Sequence, residues 1–92
     1  MSASDLIPEA GALNADATHA HITVDASGLK CPLPILRAKK ALSQLKSGDV
    51  LAVITTDINA VKDFQAFCRQ TGNALISQIS TDADCTHLLR RR

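Results

Sequence analysis

The first half of the chain passes from an alternating to a helical spacing of apolar residues. Residues 21–25 alternate polar and apolar side chains, which is typical of a short, half-exposed strand. After a loop that contains Gly28, apolar side chains recur every three or four residues and so lie along one face of a helix. This stripe consists of Ile35, Ala38, Leu42 and Leu45. The pattern predicts a strand, a loop and a helix that ends at residues 47–49.

The second half of the chain predicts a buried strand, a second helix and two further strands. Residues 50–55 are almost continuously apolar, as in a strand inside a covered sheet. Asp57 is a good N-cap for a helix that Gly72 closes. Residues 73–80 and 85–89 have the composition of two strands joined by a polar turn. The predicted order of elements is therefore βαβαββ.

A parallel arrangement of the first two strands would fix the position of both helices. The crossover between parallel strands is right-handed, so both helices would cover one face of the sheet. Each helix would also begin at the carboxyl end of the preceding strand, where open α/β folds usually have their functional sites. Asp57 would then lie near Cys31, which precedes the first helix. Helix capping alone explains the position of Asp57, so we weigh capping above catalysis for this residue.

Cys31 lies where the first helix is predicted to begin. Pro32 suits the first helical position, because its missing NH would be unpaired there anyway and its φ already fits a helix. Cys31 is therefore predicted to be the N-cap, with its thiol at the positive end of the helix. Pro34, at the third helical position, has no NH. The NH of Leu33 is then the donor that is best placed to meet the sulfur.

The charges around Cys31 favour a thiolate in this arrangement. The helix macrodipole, Lys30 and Arg37 would all stabilise negative sulfur, and such surroundings lower the pKa of a cysteine. The alternative is that Cys31 is a small apolar residue that happens to precede a helix. Sulfur is a poor helix cap compared with the side chains of Ser, Thr, Asp or Asn. We therefore favour Cys31 as a catalytic residue.

The distribution of charge divides the 92 residues into two parts. Residues 1–20 have no sustained apolar period, so we expect a disordered N-terminal tail followed by one domain over residues 21–92. All ten basic residues follow residue 29, together with five of the nine acidic ones, which gives that part a net charge of +5. This asymmetry favours an acidic partner surface. The tail lacks the basic start and the long apolar run of a signal peptide.

The cysteines and histidines form no recognisable metal or disulfide pattern. Cys31, Cys68 and Cys85 are odd in number, and no Cys-x-x-Cys pair or zinc-finger spacing occurs. Cys68 lies on the apolar stripe of the second helix and Cys85 in a strand, so we expect structural roles for both above a resolving role. We expect no metal, no cofactor and a reducing cytoplasmic location. No apolar run is long enough to span a membrane, which predicts a soluble protein.

The segment around Cys31 resembles the signature of the TusA/SirA-like sulfurtransferases, which is Asp-x-x-Gly-x-x-Cys-Pro-x-Pro. The matching positions are Asp25, Gly28, Cys31, Pro32 and Pro34. The similarity extends over about residues 21–90 and includes Thr56-Asp57 and Asp63-Phe64. The chain departs from the family where Leu33 replaces a frequent Glu and Ile58 replaces the usual Pro.

The resemblance implies both a fold and a chemistry. The fold is of the α/β class, an α+β two-layer sandwich with a mixed four-stranded sheet and two helices on one face. The cysteine that matches Cys31 carries sulfur as a persulfide in the family. Relatives receive this sulfur from a cysteine desulfurase and pass it to a downstream acceptor protein, for example toward thiolated tRNA or molybdenum cofactor. The chain would be a sulfurtransferase that acts as a relay protein, and we expect a monomer.

Other residues would support the sulfur chemistry of Cys31. Transfer needs an exposed thiolate and then an exposed persulfide. The start of a helix stabilises negatively charged sulfur at both stages. The positive side chains nearest to this cysteine would recruit the donor enzyme, unless they are simply solvated surface residues. These are Lys30, Arg37 and Lys40. The residues expected to shape the site are Asp25, Gly28, Pro32, Leu33, Pro34 and Asp57.

Three other functions fit parts of this sequence. Cys31 and Arg37 have the Cys-x5-Arg spacing of cysteine-dependent phosphatases, but Pro32 and Pro34 remove two of the NH donors that such a phosphate loop needs. The net charge and the run Arg90–Arg92 suggest a nucleic-acid-binding module, although no aromatic residues are interleaved for base stacking. A thiol-based redox or regulatory protein would use the same exposed thiolate and stays open as an alternative.

Overall fold

The computed structural model describes residues 20–92 and has the predicted element order βαβαββ. The expected tail, residues 1–20, lies outside the described residues except for its last position. The elements are β1 (Ile22–Ala26), α1 (Leu33–Leu42), β2 (Val50–Thr55), α2 (Ala60–Thr71), β3 (Ala74–Ser80) and β4 (Cys85–Arg90). No helix in this part of the chain is long and apolar enough to cross a membrane.

The four strands form one mixed sheet in the order β1-β2-β4-β3. β1 and β2 are parallel, with Ile22 opposite Leu51, and α1 makes the crossover between them. β4 is antiparallel to both β2 and β3. α1 packs against β1 and β2, whereas α2 packs against β3 and β4. These observations confirm the α+β two-layer sandwich with a mixed four-stranded sheet.

The core lies between the sheet and the two helices, which cover the same sheet face. Alternate strand residues point into it, because successive side chains of a strand face opposite sides. The strands contribute Ala26, Leu51, Val53 and Leu89, and the helices contribute Ala38, Ala41, Leu42, Ala60, Phe64, Phe67 and Cys68. The core is therefore mainly aliphatic, and Cys68 is one of its members, in agreement with the structural role expected for it. Phe64 is fully buried, so Phe64→Ala would cost about 3–5 kcal/mol of stability.

A buried polar network links the core of the sheet to the second helix. His87 of β4 is fully buried and stacks on Phe64, with 4.5 Å between the ring centroids. Gln78 Nε2 lies 3.0 Å from His87 Nδ1 and 3.0 Å from the carbonyl oxygen of Val61. Because an amide nitrogen can only donate, Nδ1 accepts and the ring is the neutral Nε2–H tautomer. Nε2 then donates to Thr55 Oγ1 at 2.7 Å.

The boundaries of both helices differ from the expected ones. Pro32 is the N-cap of α1, since its carbonyl oxygen accepts the first helical hydrogen bond, from the NH of Leu36 at 3.1 Å. The prediction that Cys31 caps this helix is therefore wrong by one residue. α1 also ends at Leu42 instead of residues 47–49, because the chain continues in three-residue turns that still bury Leu45. α2 begins at Ala60 and is not capped by Asp57.

Candidate functional site

Cys31 lies in the loop between β1 and α1, at the carboxyl ends of the two parallel strands. The register of β1 on β2 places the ends of both strands side by side, with Ala26 opposite Thr55. The loops that follow these strands therefore emerge together at one edge of the sheet. Cys31 is exposed, whereas Cys68 and Cys85 are buried. An external sulfur compound can thus reach the thiol of Cys31.

Local hydrogen bonds shape the β1–α1 loop before it reaches the cysteine. Asp25 Oδ1 accepts a hydrogen bond from the NH of Ser27 at 3.0 Å, and hydrogen bonding with Ser27 holds the pKa of Asp25 below its ordinary value. Gly28 follows with a φ of 79°, in the left-handed region that glycine adopts without strain. The NH of Gly28 donates to Thr56 Oγ1 at 2.8 Å. This bond fastens the loop to the end of β2.

Asp57 makes the second bond between the two loops. Its Oδ2 accepts a hydrogen bond from the backbone NH of Cys31 at 2.9 Å, and its Oδ1 accepts one from the NH of Asn59 at 3.1 Å. The predicted proximity to Cys31 is confirmed, while the capping role is wrong because Asn59 holds the N-cap position of α2. The NH groups of Asn59 and Cys31, aided by the charge of Lys30, hold the pKa of Asp57 below its ordinary value.

The thiol of Cys31 does not have the surroundings that the sequence suggests. The NH of Leu33, expected to meet the sulfur, donates instead to the carbonyl oxygen of Lys30 at 2.8 Å. Hydrogen bonding of the thiol with Asp63, followed by desolvation and by the negative charges of Asp63 and Asp57, raises the pKa of Cys31. The expectation of a lowered pKa is therefore wrong. The helix starts one residue later than expected, and the acidic side chains near the sulfur come from the β2–α2 loop and the first turn of α2.

The other predicted site residues surround this loop. Pro34 is buried within the first turn of α1, so it anchors the helix start, while Pro32 is exposed. Leu33 is 47 % exposed. Lys30, Arg37 and Lys40 are exposed, and neither Arg37 nor Lys40 forms an ion pair with any described residue. The structure thus brings the predicted residues to one end of the sandwich, with Lys40 one turn further along α1 than the rest.

Sequence reasoning about individual side chains missed Thr56 and Asp63. Both occurred only as parts of the family resemblance, with no role assigned to either. The available signal was position, since Thr56 directly follows β2 and Asp63 lies in the first turn of α2. Polar residues at these places reach the same sheet edge as Cys31. Among the described residues, no group of three His, Cys, Asp or Glu side chains could hold a metal ion.

Comparison with known proteins agrees with this arrangement. The model of the family described as Sulfurtransferase TusA matches residues 22–91. The sulfur carrier protein TusA of Allochromatium vinosum is 66% identical over 53 residues, which cover 58% of this chain and 70% of that protein. A protein of Neisseria meningitidis serogroup A, whose sulfur-carrier name is provisional, is 54% identical over 70 residues, or 76% of this chain and 95% of its own.

A solved structure supports the same assignment. The crystal structure of the SirA-like protein of Desulfitobacterium hafniense superposes with a TM-score of 0.68 at 30% sequence identity. The match covers 75% of this chain and 95% of that protein. Family match, curated relatives and fold therefore agree over nearly all of the described residues. The chain belongs to the TusA family of sulfurtransferases and has the sulfur-carrier role of that family.

Proposed function

We propose that Cys31 accepts sulfane sulfur as a persulfide from a cysteine desulfurase and passes it to an acceptor protein. The observation that carries this proposal is that Cys31 is exposed, whereas the two other cysteines are buried. Burial also raises the pKa of Cys68, which keeps that thiol protonated and unreactive. Cys31 is then the thiol within the described residues that a partner's sulfur can approach.

The transfer is a thiol–persulfide exchange with no net oxidation. The sulfur of Cys31, as thiolate, attacks the terminal sulfur of the donor's persulfide, R–S–SH. A sulfur–sulfur bond forms to Cys31 while the one in the donor breaks, and the donor leaves as R–S⁻. The proton that Cys31 gave up ends on this leaving thiolate. In the second transfer an acceptor thiolate attacks the terminal sulfur on Cys31 in the same way.

The raised pKa of Cys31 adds a condition to this chemistry. At neutral pH the isolated protein holds the thiol mostly protonated, since Asp63 and Asp57 disfavour the anion. Protonated thiols resist oxidation and react slowly with persulfides. A partner that neutralises the two carboxylates on docking would release the proton. The carrier would therefore react fastest inside the complex with its donor.

The proposal for the pathway beyond the acceptor rests on family resemblance alone. Relay proteins of this kind deliver sulfur toward thiolated tRNA or molybdenum cofactor, and we propose one of these routes for the present protein. The reaction needs no bound cofactor, since one cysteine both receives and gives the sulfur. A reducing cytoplasm suits such a carrier, because Cys31 has to remain a free thiol between cycles.

Mass spectrometry of the intact protein tests the proposed function. The protein is incubated with a cysteine desulfurase and L-cysteine, without reductant, and its mass is measured before and after a thiol reductant is added. We expect a gain of one sulfur atom that the reductant removes. A protein whose mass does not change under these conditions, while the desulfurase is turning over, would refute the proposal.

A further inference from the structure

Large hydrophobic side chains are exposed mainly next to Cys31. Four such side chains stand out among the described residues. Leu33 is 47% exposed, Leu36 50% and Ile58 88%, and all three belong to the segments that hold the Cys31 loop. The fourth, Ile79, is 60% exposed and lies in the edge strand β3. Exposed apolar side chains that collect at one place mark an interaction site more often than scattered ones do.

The three residues belong to the two segments that meet at the cysteine. Leu33 and Leu36 are three residues apart in α1 and so project from neighbouring positions on the helix, just after Cys31. Ile58 directly follows Asp57, whose Oδ2 is 2.9 Å from the backbone nitrogen of Cys31. Ile58 is thereby fixed across the loop from the start of α1. We refer to Leu33, Leu36 and Ile58 as the apolar rim.

A cleft continues the apolar rim on the side of Ile58. It has a volume of about 330 Å³ and lies between the β2–α2 loop and the turn that joins β3 to β4. Ile58, Val61 and Ala83 contribute apolar side chains to its wall, and three carboxylates also line it, those of Asp57, Asp82 and Asp84. The cleft is thus adjacent to the residue that binds the Cys31 NH. A basic or neutral side chain of a docked protein could enter it while the partner's sulfur meets Cys31, since an acidic one would be repelled by the three carboxylates.

Folding does not account for the apolar rim. Leu33, Leu36 and Ile58 are absent from both hydrophobic clusters, and hydrophobic side chains left in water contribute little to stability. The centre of a protein interface, in contrast, is apolar and surrounded by polar residues. Here the surrounding positive charges belong to Arg37 and Lys40, which form no ion pair with a described residue.

We propose that the apolar rim binds a segment of a partner protein that carries a reactive cysteine of its own. In this segment, apolar side chains lie next to the partner's cysteine, and acidic side chains surround the apolar ones. The proposal rests on the proposed function, because the partner must bring its sulfur to Cys31. Contact with Leu33 and Ile58 places the two sulfurs together, while the acidic residues face Arg37 and Lys40. The rim therefore serves specific delivery by a protein and has no part in reaction with a small sulfur compound.

The test compares two sulfur sources on two kinds of variant. The double variant Leu36→Ser/Ile58→Ser removes one apolar side chain from each of the two segments that flank Cys31. The control variant Ile79→Ser removes an apolar side chain of similar exposure from elsewhere on the surface. Ile79 lies on the sheet face opposite the helices, in the edge strand that is farthest from β1. Each protein is loaded with sulfur either by a cysteine desulfurase with L-cysteine or by inorganic polysulfide, and the rate of sulfur gain is followed by intact mass.

We expect the desulfurase to load the double variant at least about tenfold more slowly than the wild type. Burial of even one such side chain in an interface raises affinity by about this factor. Its loading from polysulfide should stay at the wild-type rate, which shows that Cys31 keeps its reactivity, and an unchanged urea midpoint shows that the fold is intact. Ile79→Ser should match the wild type with both sources. Wild-type loading of the double variant by the desulfurase would overturn the proposal. Failure of the wild type to load from an active desulfurase would instead refute the proposed function itself.

Discussion

The side chain of Asp57 accepts a hydrogen bond from the backbone NH of Cys31, with 2.9 Å between nitrogen and Oδ2. The two residues follow different strands, so this bond joins the β1–α1 and β2–α2 loops at the site. Thr56 makes a parallel bond to the NH of Gly28 at 2.8 Å. Two neighbouring side chains at the end of β2 thereby hold the loop that carries the reactive thiol.

Replacement of Asp57 should loosen this loop more than it destabilises the domain. In Asp57→Ala the NH groups of Cys31 and Asn59 lose their acceptor, so we expect a small decrease in the free energy of unfolding and faster amide exchange at Cys31. Asp57→Asn retains an acceptor oxygen and should cost less. Urea denaturation measures both, and amide exchange at Cys31 reports the loop directly. Equal stability and equal exchange in Asp57→Ala and the wild type would contradict this role.

The pKa of the Cys31 thiol should lie above that of an ordinary cysteine, because Asp63 and then Asp57 disfavour the thiolate. The rate of alkylation by iodoacetamide, followed against pH, gives the midpoint. Asp63→Asn should move this midpoint down, since it removes the largest cause of the shift. Asp82→Asn, which changes an exposed turn, serves as the control. A wild-type midpoint well below about 8.5 would show that the helix start dominates after all.

Acid should destabilise the protein through His87. Burial lowers the pKa of His87 from 6.5 to about 4, so between these values the unfolded chain binds a proton that the folded chain does not. The resulting stability is complete above pH 6.5 and is lost as the pH falls toward 4. At pH 5 the loss attributable to His87 is on the order of 2 kcal/mol.

Unfolding by urea at pH 7 and pH 5 measures this loss. The variant His87→Leu should be less stable at pH 7, because it removes the hydrogen bonds to Thr55 and Gln78. Its stability should nevertheless fall less between pH 7 and pH 5 than that of the wild type. An equal fall in both proteins would assign the acid sensitivity to other groups.

Charge reversal at Arg37 and Lys40 should slow docking of the donor. Complementary charges act mainly on association rate and are screened by salt. The variant Arg37→Glu/Lys40→Glu should therefore load more slowly from a desulfurase at low ionic strength, by about tenfold, with a smaller difference at high salt. Arg69→Glu/Arg90→Glu makes the same change in net charge with two other exposed arginines. Equal slowing in the two variants would show that only net charge matters.

The periodicity of the sequence predicts the order of the elements, whereas the mixed two-layer sandwich was implied by the family resemblance and the strand order β1-β2-β4-β3 was not predicted. The alternation at residues 21–25 and the apolar run at 50–55 correspond to β1 and β2, and the crossover rule correctly places both helices on one face. Helix ends were less predictable, because several caps compete within one loop. Asp57 has the chemistry of an N-cap, yet its carboxylate is engaged by Asn59 and by Cys31, a residue distant in sequence.

The site was predictable in position and not in electrostatics. The proximity of Asp57 to Cys31 followed from parallel strands, which bring consecutive loops together. The pKa of the thiol depends on where a helix begins to within one residue and on which acidic side chain faces the sulfur. Asp63 is 32 positions from Cys31, and no local pattern relates the two residues. Sequence reasoning counted the helix macrodipole and the nearby charges of Lys30 and Arg37, and so expected the opposite shift.

The identity of the sulfur-accepting residue is the central claim, and single cysteine replacements test it most directly. The wild type, Cys31→Ser, Cys68→Ser and Cys85→Ser are incubated with desulfurase and L-cysteine, and the intact mass of each protein is measured. We predict a gain of one sulfur atom in the wild type, Cys68→Ser and Cys85→Ser, and none in Cys31→Ser. A sulfur adduct on Cys31→Ser in the same yield as on the wild type would contradict the account.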